Sequence, residues 1–111
     1  MTRGSCHCGA VTVAVAHAPE WVGSCNCSIC RKLAWLVAYY PESDVTIEGA
    51  TDTYVWGDRM LALHRCRTCG CVTHWRSIEP HRDPSRMGVN ARLLDGFDAG
   101  RVEVRLFDNA G

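Results

Sequence analysis

"CNCSIC", residues 25–30, sets three thiols within six positions of a 111-residue chain that carries eight cysteines in all. The other five fall into two further groups, "CHC" (Cys6, Cys8) and "CRTCGC" (Cys66, Cys69, Cys71). No apolar stretch of signal-peptide length opens the chain, and the longest apolar run, "LAWLVAYY", is far too short to span a bilayer. The expected compartment is therefore the reducing cytoplasm, where dense cysteines signal metal ligation or thiol chemistry more often than a disulfide framework. Pairs this close in sequence close no useful disulfide loop, yet they can share an ion.

Around the cysteines the pattern is that of short strands. "AVTVAVA" alternates Val11, Val13 and Val15 with small or polar residues, the period of a half-buried strand. "LAWLVAYY" reads as a buried strand ending at Pro41, its first residues able to continue a helical turn. "DVTIEG" is a short strand closed by Gly49, and "TYVWG" with "DRMLALHR" forms a hairpin about Gly57 and Asp58. "CVTHWRSI", "RMGVNARLL" and "RVEVRLF" complete a set of about seven or eight strands, with "DGFDAG" as a loop or short helical turn. Few segments have helical periodicity. The expectation is one mostly β, mostly antiparallel domain over residues 1–111, with loops supplying the cysteines.

The formal net charge is zero. No global field attracts nucleic acid or an anionic membrane, and the local run of Arg65, Arg67, Arg76, Arg82, Arg86 and Arg92 comes without a phosphate loop or recognition helix. Neither a nucleic acid nor a membrane is an expected partner.

Metal geometry gives the sulfurs distinct tasks. In an extended "CHC" the side chains of Cys6 and Cys8 share a face, and Cys66 and Cys69 have the spacing of a zinc knuckle whose turn Gly70 permits. These four close a thiolate site that ties an early strand to a late one. Cys25, Cys27 and Cys30 supply three ligands and leave a tetrahedral corner open, as catalytic zinc sites do. Three thiolates on a dication carry a net charge of about minus one, a soft centre suited to a substrate thiol. Spacing alone also allows a ribbon joining Cys27 and Cys30 to Cys66 and Cys69, or a closed second site capped by Cys71. His64 and His74 could ligate or act as acid or base, whereas His7, His17 and His81 read as surface residues. Arg31 and Lys32 could hold substrate carboxylates or simply end a solvated loop. Trp35, Tyr39, Tyr40, Trp56 and Trp75 read first as core or sheet surface and second as a pocket wall.

Four stretches, "GSCHCGAV", "CNCSICRK", "CRTCG" and "RMGVNARLL", resemble in order the glutathione-dependent formaldehyde-activating (Gfa) family, which includes the centromere protein V relatives. The resemblance runs from about Gly4 to Phe107. It implies an antiparallel β-tent, Mss4-like fold with two zinc ions: a structural one on Cys6, Cys8, Cys66 and Cys69, and a catalytic one on Cys25, Cys27 and Cys30. It further implies a carbon–sulfur lyase whose substrates are a small thiol such as glutathione and a small aldehyde such as formaldehyde, joined as S-hydroxymethylglutathione. "HRCRTCGC" departs from the family pattern in His64, Arg65 and the extra Cys71, which could reach the second zinc and close it. The rival expectation is a non-catalytic zinc module on the same scaffold, binding a protein partner or a thiol ligand.

Overall fold

A computed structural model describes residues 1–57, 59, 61–78 and 86–108. Ten strands and one α-helix occur among them: β1 Thr2–Ser5, β2 Thr12–Val15, β3 Trp21–Cys25, α1 Ser28–Leu33, β4 Val37–Pro41, β5 Val45–Glu48, β6 Thr51–Val55, β7 Leu61–Cys66, β8 Val72–Ser77, β9 Arg86–Asn90 and β10 Glu103–Phe107. Three of these, β1, β2 and β5, form a small sheet; the other seven form a large one in the order β10-β3-β4-β9-β8-β7-β6. All pairings are antiparallel except β10 on β3. The expected mostly β, mostly antiparallel architecture is what forms.

Alternation explains how the two sheets stack. Val13 and Val15 of β2 turn inward with Val45 and Ile47 of β5, and they meet Val22, Ala38, Tyr40, Met87 and Val89 from one face of the large sheet. β-branched side chains suit this pleated interface, and each buried one contributes roughly 1.5–3 kcal/mol. Tyr40 belongs to this core, with its hydroxyl donating to the His17 carbonyl at 2.9 Å.

The other face of the large sheet lies away from the small one. It carries Trp21 and Cys25 of β3, Tyr39 of β4, Trp75 of β8 and Leu63 of β7, with α1 laid against part of it through Ile29, Cys30 and Leu33. The hairpin of β6 and β7 forms as the sequence suggests; Asp58, in its connection, lies outside the described residues, as do His81 and Arg82.

Two strands exceed the sequence expectation. "TRGS" of β1 has no apolar run to announce it, and "WVGSC" of β3 hides its strand behind a glycine, a serine and a cysteine. "CNCSIC" is no plain loop either, since Ser28–Leu33 is helical and ends on Ala34 in the left-handed region, φ 54°. Six residues are too few to display a 3.6-residue period.

Candidate metal centres and the cavities beside them

The first cluster is built from two turns. β1 ends at Ser5, Gly9 at φ 84° reverses the chain, and Cys6 N–H returns to the Val11 carbonyl at 3.0 Å. At the end of β7, Gly70 at φ 80° does the same, with Cys66 N–H bonded to the Cys71 carbonyl at 2.8 Å. Only glycine takes these backbone angles freely. The "CHC" segment is thus a turn and not extended: Cys6 and Cys8 come together by chain reversal, leaving His7 exposed.

These turns bring the sulfurs of Cys6, Cys8, Cys66 and Cys69 within 4.8 Å of one another. Cys6–Cys8 and Cys8–Cys66 are each 3.7 Å apart, and a tetrahedral site with Zn–S bonds of about 2.3 Å needs sulfurs about 3.8 Å apart. Backbone N–H groups point at them: Val11 to Cys6 at 3.3 Å, Ala10 to Cys8 at 3.5 Å, and Thr68 and Cys69 to Cys66, both at 3.4 Å. Such donors favour thiolates. Cys69, exposed to the backbone N–H groups of Cys71 and Cys8, is drawn down to about 5. Cys8 rises to about 11, because the Ala10 N–H that favours its thiolate is outweighed by burial and by the sulfurs of Cys66, Cys6 and Cys69. Four thiols that cannot all ionise unaided, held on tetrahedral edges, are a fitting cradle for zinc.

Cys71 packs against this first cluster and is not part of either sulfur group. The capped second site allowed by spacing is therefore not formed, and neither is the ribbon joining Cys27 and Cys30 to Cys66 and Cys69.

The second cluster stands where β3 enters α1. Cys25 is the last residue of β3, Cys27 caps the helix, and Cys30 sits one turn on, so that i and i+3 share a face. Their three sulfurs also lie within 4.8 Å of one another. Cys27 N–H donates to Cys25 Sγ at 3.4 Å, and the Trp35 indole N–H donates to Cys30 Sγ at 3.3 Å. Burial opposes ionisation of Cys27, yet the backbone N–H of Cys30 and the neighbouring thiols carry its pKa downward. Cys30 goes the other way, pushed up to about 12 by burial and by the charge on Cys27 and Cys25 in spite of the Trp35 donor. The Cys30 thiolate thus forms here only with a cation to share. Among the described residues no fourth Cys, His, Asp or Glu joins this group.

Two cavities flank these sulfurs, and Cys25 and Cys30 line both. The larger, about 650 Å³, is open and bears Arg31 of α1 and Arg92, which follows β9, together with Asn26 and Asp108 bonded to each other at 3.1 Å. Lys32 is exposed and lies outside this wall. The smaller, about 220 Å³, is walled by Trp35, Tyr39, Trp56, Trp75, Val37 and Leu63 among others. So four of the five aromatic residues singled out from sequence line this pocket, Trp35 as a buried member of its wall, while Tyr40 packs in the core between the sheets. Glycines make room for the rings, since a Cβ at Gly88 would collide with the Trp75 indole and one at Gly23 with the Phe107 ring.

Tyr39 joins an aromatic network with Trp21 at 5.6 Å, Phe107 at 6.1 Å and Trp75 at 6.2 Å between ring centroids. Burial, helped by the charges on Cys25 and Cys30, pushes its hydroxyl up to about 12. It therefore stays a proton donor at neutral pH.

His64 and His74 do not reach these cavities. They pair across β7 and β8 with rings stacked at 4.2 Å, and alternation sets them opposite Leu63 and Trp75. Burial above all, with His64 and Arg76 adding to it, brings His74 down to about 3. The arginine run dissolves into separate contacts: Arg65 and Arg67 with Asp52 at 3.9 and 3.0 Å, Arg76 with Glu42 at 3.5 Å, and Arg86 over the Tyr39 ring at 5.3 Å. Arg92 and Phe107 were not singled out as site residues from sequence. Arg92 lies inside the quoted "RMGVNARLL", whereas nothing local marks Phe107, which parallel pairing sets beside Cys25.

Comparison with known proteins agrees with this architecture. The family model for "glutathione-dependent formaldehyde-activating enzyme" matches residues 1–109. A crystal structure of a Rhodobacter sphaeroides protein is 33% identical, superimposes with a TM-score of 0.77, and matches over 92% of this chain and 98% of that one. No described helix is long and apolar enough to cross a membrane. With its two ordered cysteine clusters on a mostly β, Mss4-like frame, the chain belongs to the glutathione-dependent formaldehyde-activating family.

Proposed function

We propose that the protein is a zinc-dependent carbon–sulfur lyase and synthase acting on the adduct of a small thiol and a small aldehyde, S-hydroxymethylglutathione being the reference case. The observation that carries this reading is the position of the three-sulfur cluster, whose Cys25 and Cys30 form part of a cationic cavity on one side and an aromatic one on the other. Cys6, Cys8, Cys66 and Cys69 would hold the structural ion, and Cys25, Cys27 and Cys30 the catalytic one, with residues 1–111 acting as a single cytoplasmic domain. Zinc at the second cluster would supply a soft Lewis acid that lowers the pKa of a substrate thiol.

The chain's own residues account for the rest. Arg31 and Arg92 hold the carboxylates of a glutathione-like thiol and so fix the direction from which its sulfur enters. The indole of Trp35, donating to Cys30, keeps that thiolate oriented. In the synthetic direction the thiol gives up its proton to solvent water, its sulfur lone pair forms the C–S bond, and the carbonyl π pair moves onto oxygen, which takes a proton back from water to leave the hydroxyl of the adduct. The Tyr39 hydroxyl, kept protonated, donates to that oxygen as charge builds on it. Cleavage reverses these movements: the hydroxyl proton leaves, the C=O bond reforms, and the thiolate departs with the C–S pair.

X-ray absorption on the zinc-loaded protein with and without glutathione tests the reading. The expected change is one added sulfur neighbour averaged over two ions, together with an exchange rate between thiol, formaldehyde and adduct above the uncatalysed rate. An unchanged sulfur shell and a rate equal to the background would instead support a non-catalytic zinc module.

A further inference from the structure

The aromatic cavity is poorly matched to formaldehyde. It offers about 220 Å³, and an apolar cavity of about 150 Å³ already accommodates benzene. Among its described lining residues no side chain other than the thiols carries charge, while the cations stand in the larger cavity on the far side of Cys25 and Cys30. A two-heavy-atom aldehyde would leave most of this space to water held against Val37, Leu63, Trp56 and Trp75. Displacing that water with apolar surface is favourable, by roughly 25 cal/mol per Å². Rings also accept other rings at their edges and faces, and Tyr54 already stacks on Trp56 at 5.6 Å with planes 8° apart.

The walls of the cavity are built to stay open to a ring. Trp75 lies over Gly88, where any β-carbon would push the indole away from the sheet. Trp35 is tied to Cys30 and Tyr39 is wedged between Trp21, Phe107 and Trp75, so neither can swing in to fill the space cheaply.

We propose that this cavity receives the apolar substituent of the aldehyde, so that the carbonyl partner preferred by this protein is an aldehyde with a group up to the size of a phenyl ring. The inference rests on the thiol-adduct reading above. It divides the substrate between the two cavities: charged thiol body toward Arg31 and Arg92, apolar aldehyde substituent against Trp56 and Trp75, and the reacting carbon between them at the sulfurs.

S-benzylglutathione and S-methylglutathione are unreactive thioether mimics of the two kinds of adduct. Calorimetric titration of both, and of glutathione, into the zinc-loaded full chain is the test. The benzyl compound is expected to bind at least tenfold tighter than the methyl one, and Trp56→Ala, at the half-exposed rim, to narrow that ratio at least fivefold. Independently of any variant, nuclear Overhauser contacts are expected between the benzyl ring and the Leu63 methyl groups. Equal affinity of the two thioethers alongside measurable glutathione binding would overturn this inference and leave the lyase reading standing. A benzyl preference without contacts to Leu63 would likewise overturn it, by placing the ring elsewhere. Absence of binding by all three compounds would overturn both.

Discussion

The indole N–H of Trp35 donates to the sulfur of Cys30 across 3.3 Å, reaching back over the helix end at Ala34 to the last of the three clustered thiols. A buried donor to a metal-bound sulfur orients it and tempers its charge, and loss of such a partner typically costs 10–100-fold in metal affinity. Trp35→Phe keeps an apolar ring and removes the donor together with part of the indole's volume. Zinc affinity at the three-sulfur site is expected to fall about tenfold, with the four-sulfur site unaffected, as read by competition with a chromogenic chelator. Equal weakening of both sites would refute this role.

Cys27→Ser and Cys66→Ser separate the two clusters. Cys27 is half-exposed at a helix cap, whereas Cys66 is buried and tied by its sulfur and backbone to the turns at both ends of the first cluster. The first substitution is expected to leave a folded protein holding one zinc in place of two. Apparent binding free energies for structural zinc of about 10 kcal/mol or more match the net stability of a small domain. Cys66→Ser is therefore expected to abolish the cooperative thermal transition, with circular dichroism and zinc stoichiometry as the readouts. A folded Cys66→Ser protein together with an unfolded Cys27→Ser one would reverse the two assignments.

Arg31 and Arg92 face the same open cavity from α1 and from the turn after β9. Both are exposed, so each contact with a carboxylate is screened and contributes about 1 kcal/mol. Either change to alanine should raise the KM for glutathione about fivefold with little effect on kcat. 2-Mercaptoethanol, a thiol without charge, should respond to neither. A similar loss with 2-mercaptoethanol would show that the arginines act on something other than substrate charge.

His74 links stability to pH. The unfolded histidine takes up a proton near 6.5, whereas burial, with His64 and Arg76 close by, delays this in the folded protein to about 3. Below pH 6.5 the unfolded chain binds the extra proton, so stability falls as the pH drops through this window. At pH 5 the loss is about 2 kcal/mol. His74→Gln keeps a polar side chain without the titration, and chemical denaturation at pH 7 and pH 5 should show a correspondingly smaller loss for the variant. Parallel losses in both proteins would assign the acid sensitivity elsewhere.

The cysteine clusters were legible because ligand spacing is a local property: "CHC", "CRTCG" and "CNCSIC" each bring their own turn or helix. Their pairing was only partly legible, since spacing is equally satisfied by other combinations, and what joins residue 6 to residue 66 is the path of β1 and β7. Val11, Val13 and Val15 announced β2 by alternation, but β3 did not announce itself, its cavity face having a glycine and a cysteine after Trp21. The aromatic residues read first as core or sheet surface and only second as a pocket wall, because a ring over a glycine on the next strand has no signature in either strand alone. The histidines went the opposite way: His64 and His74 drew attention by chemistry, and a one-residue alternation put them on the wrong face for it.

The parallel register that sets Phe107 beside Cys25 has a consequence for biogenesis. A nascent chain leaving the ribosome can knot its four-sulfur cluster once residue 69 has emerged, well before synthesis is complete. The larger cavity, which Leu106 and Phe107 help to line, must wait for β10, which comes later in the chain and docks along β3. Until then the frame lacks that cavity wall, so the step that gathers the four sulfurs and the step that completes the cavity are separated in time.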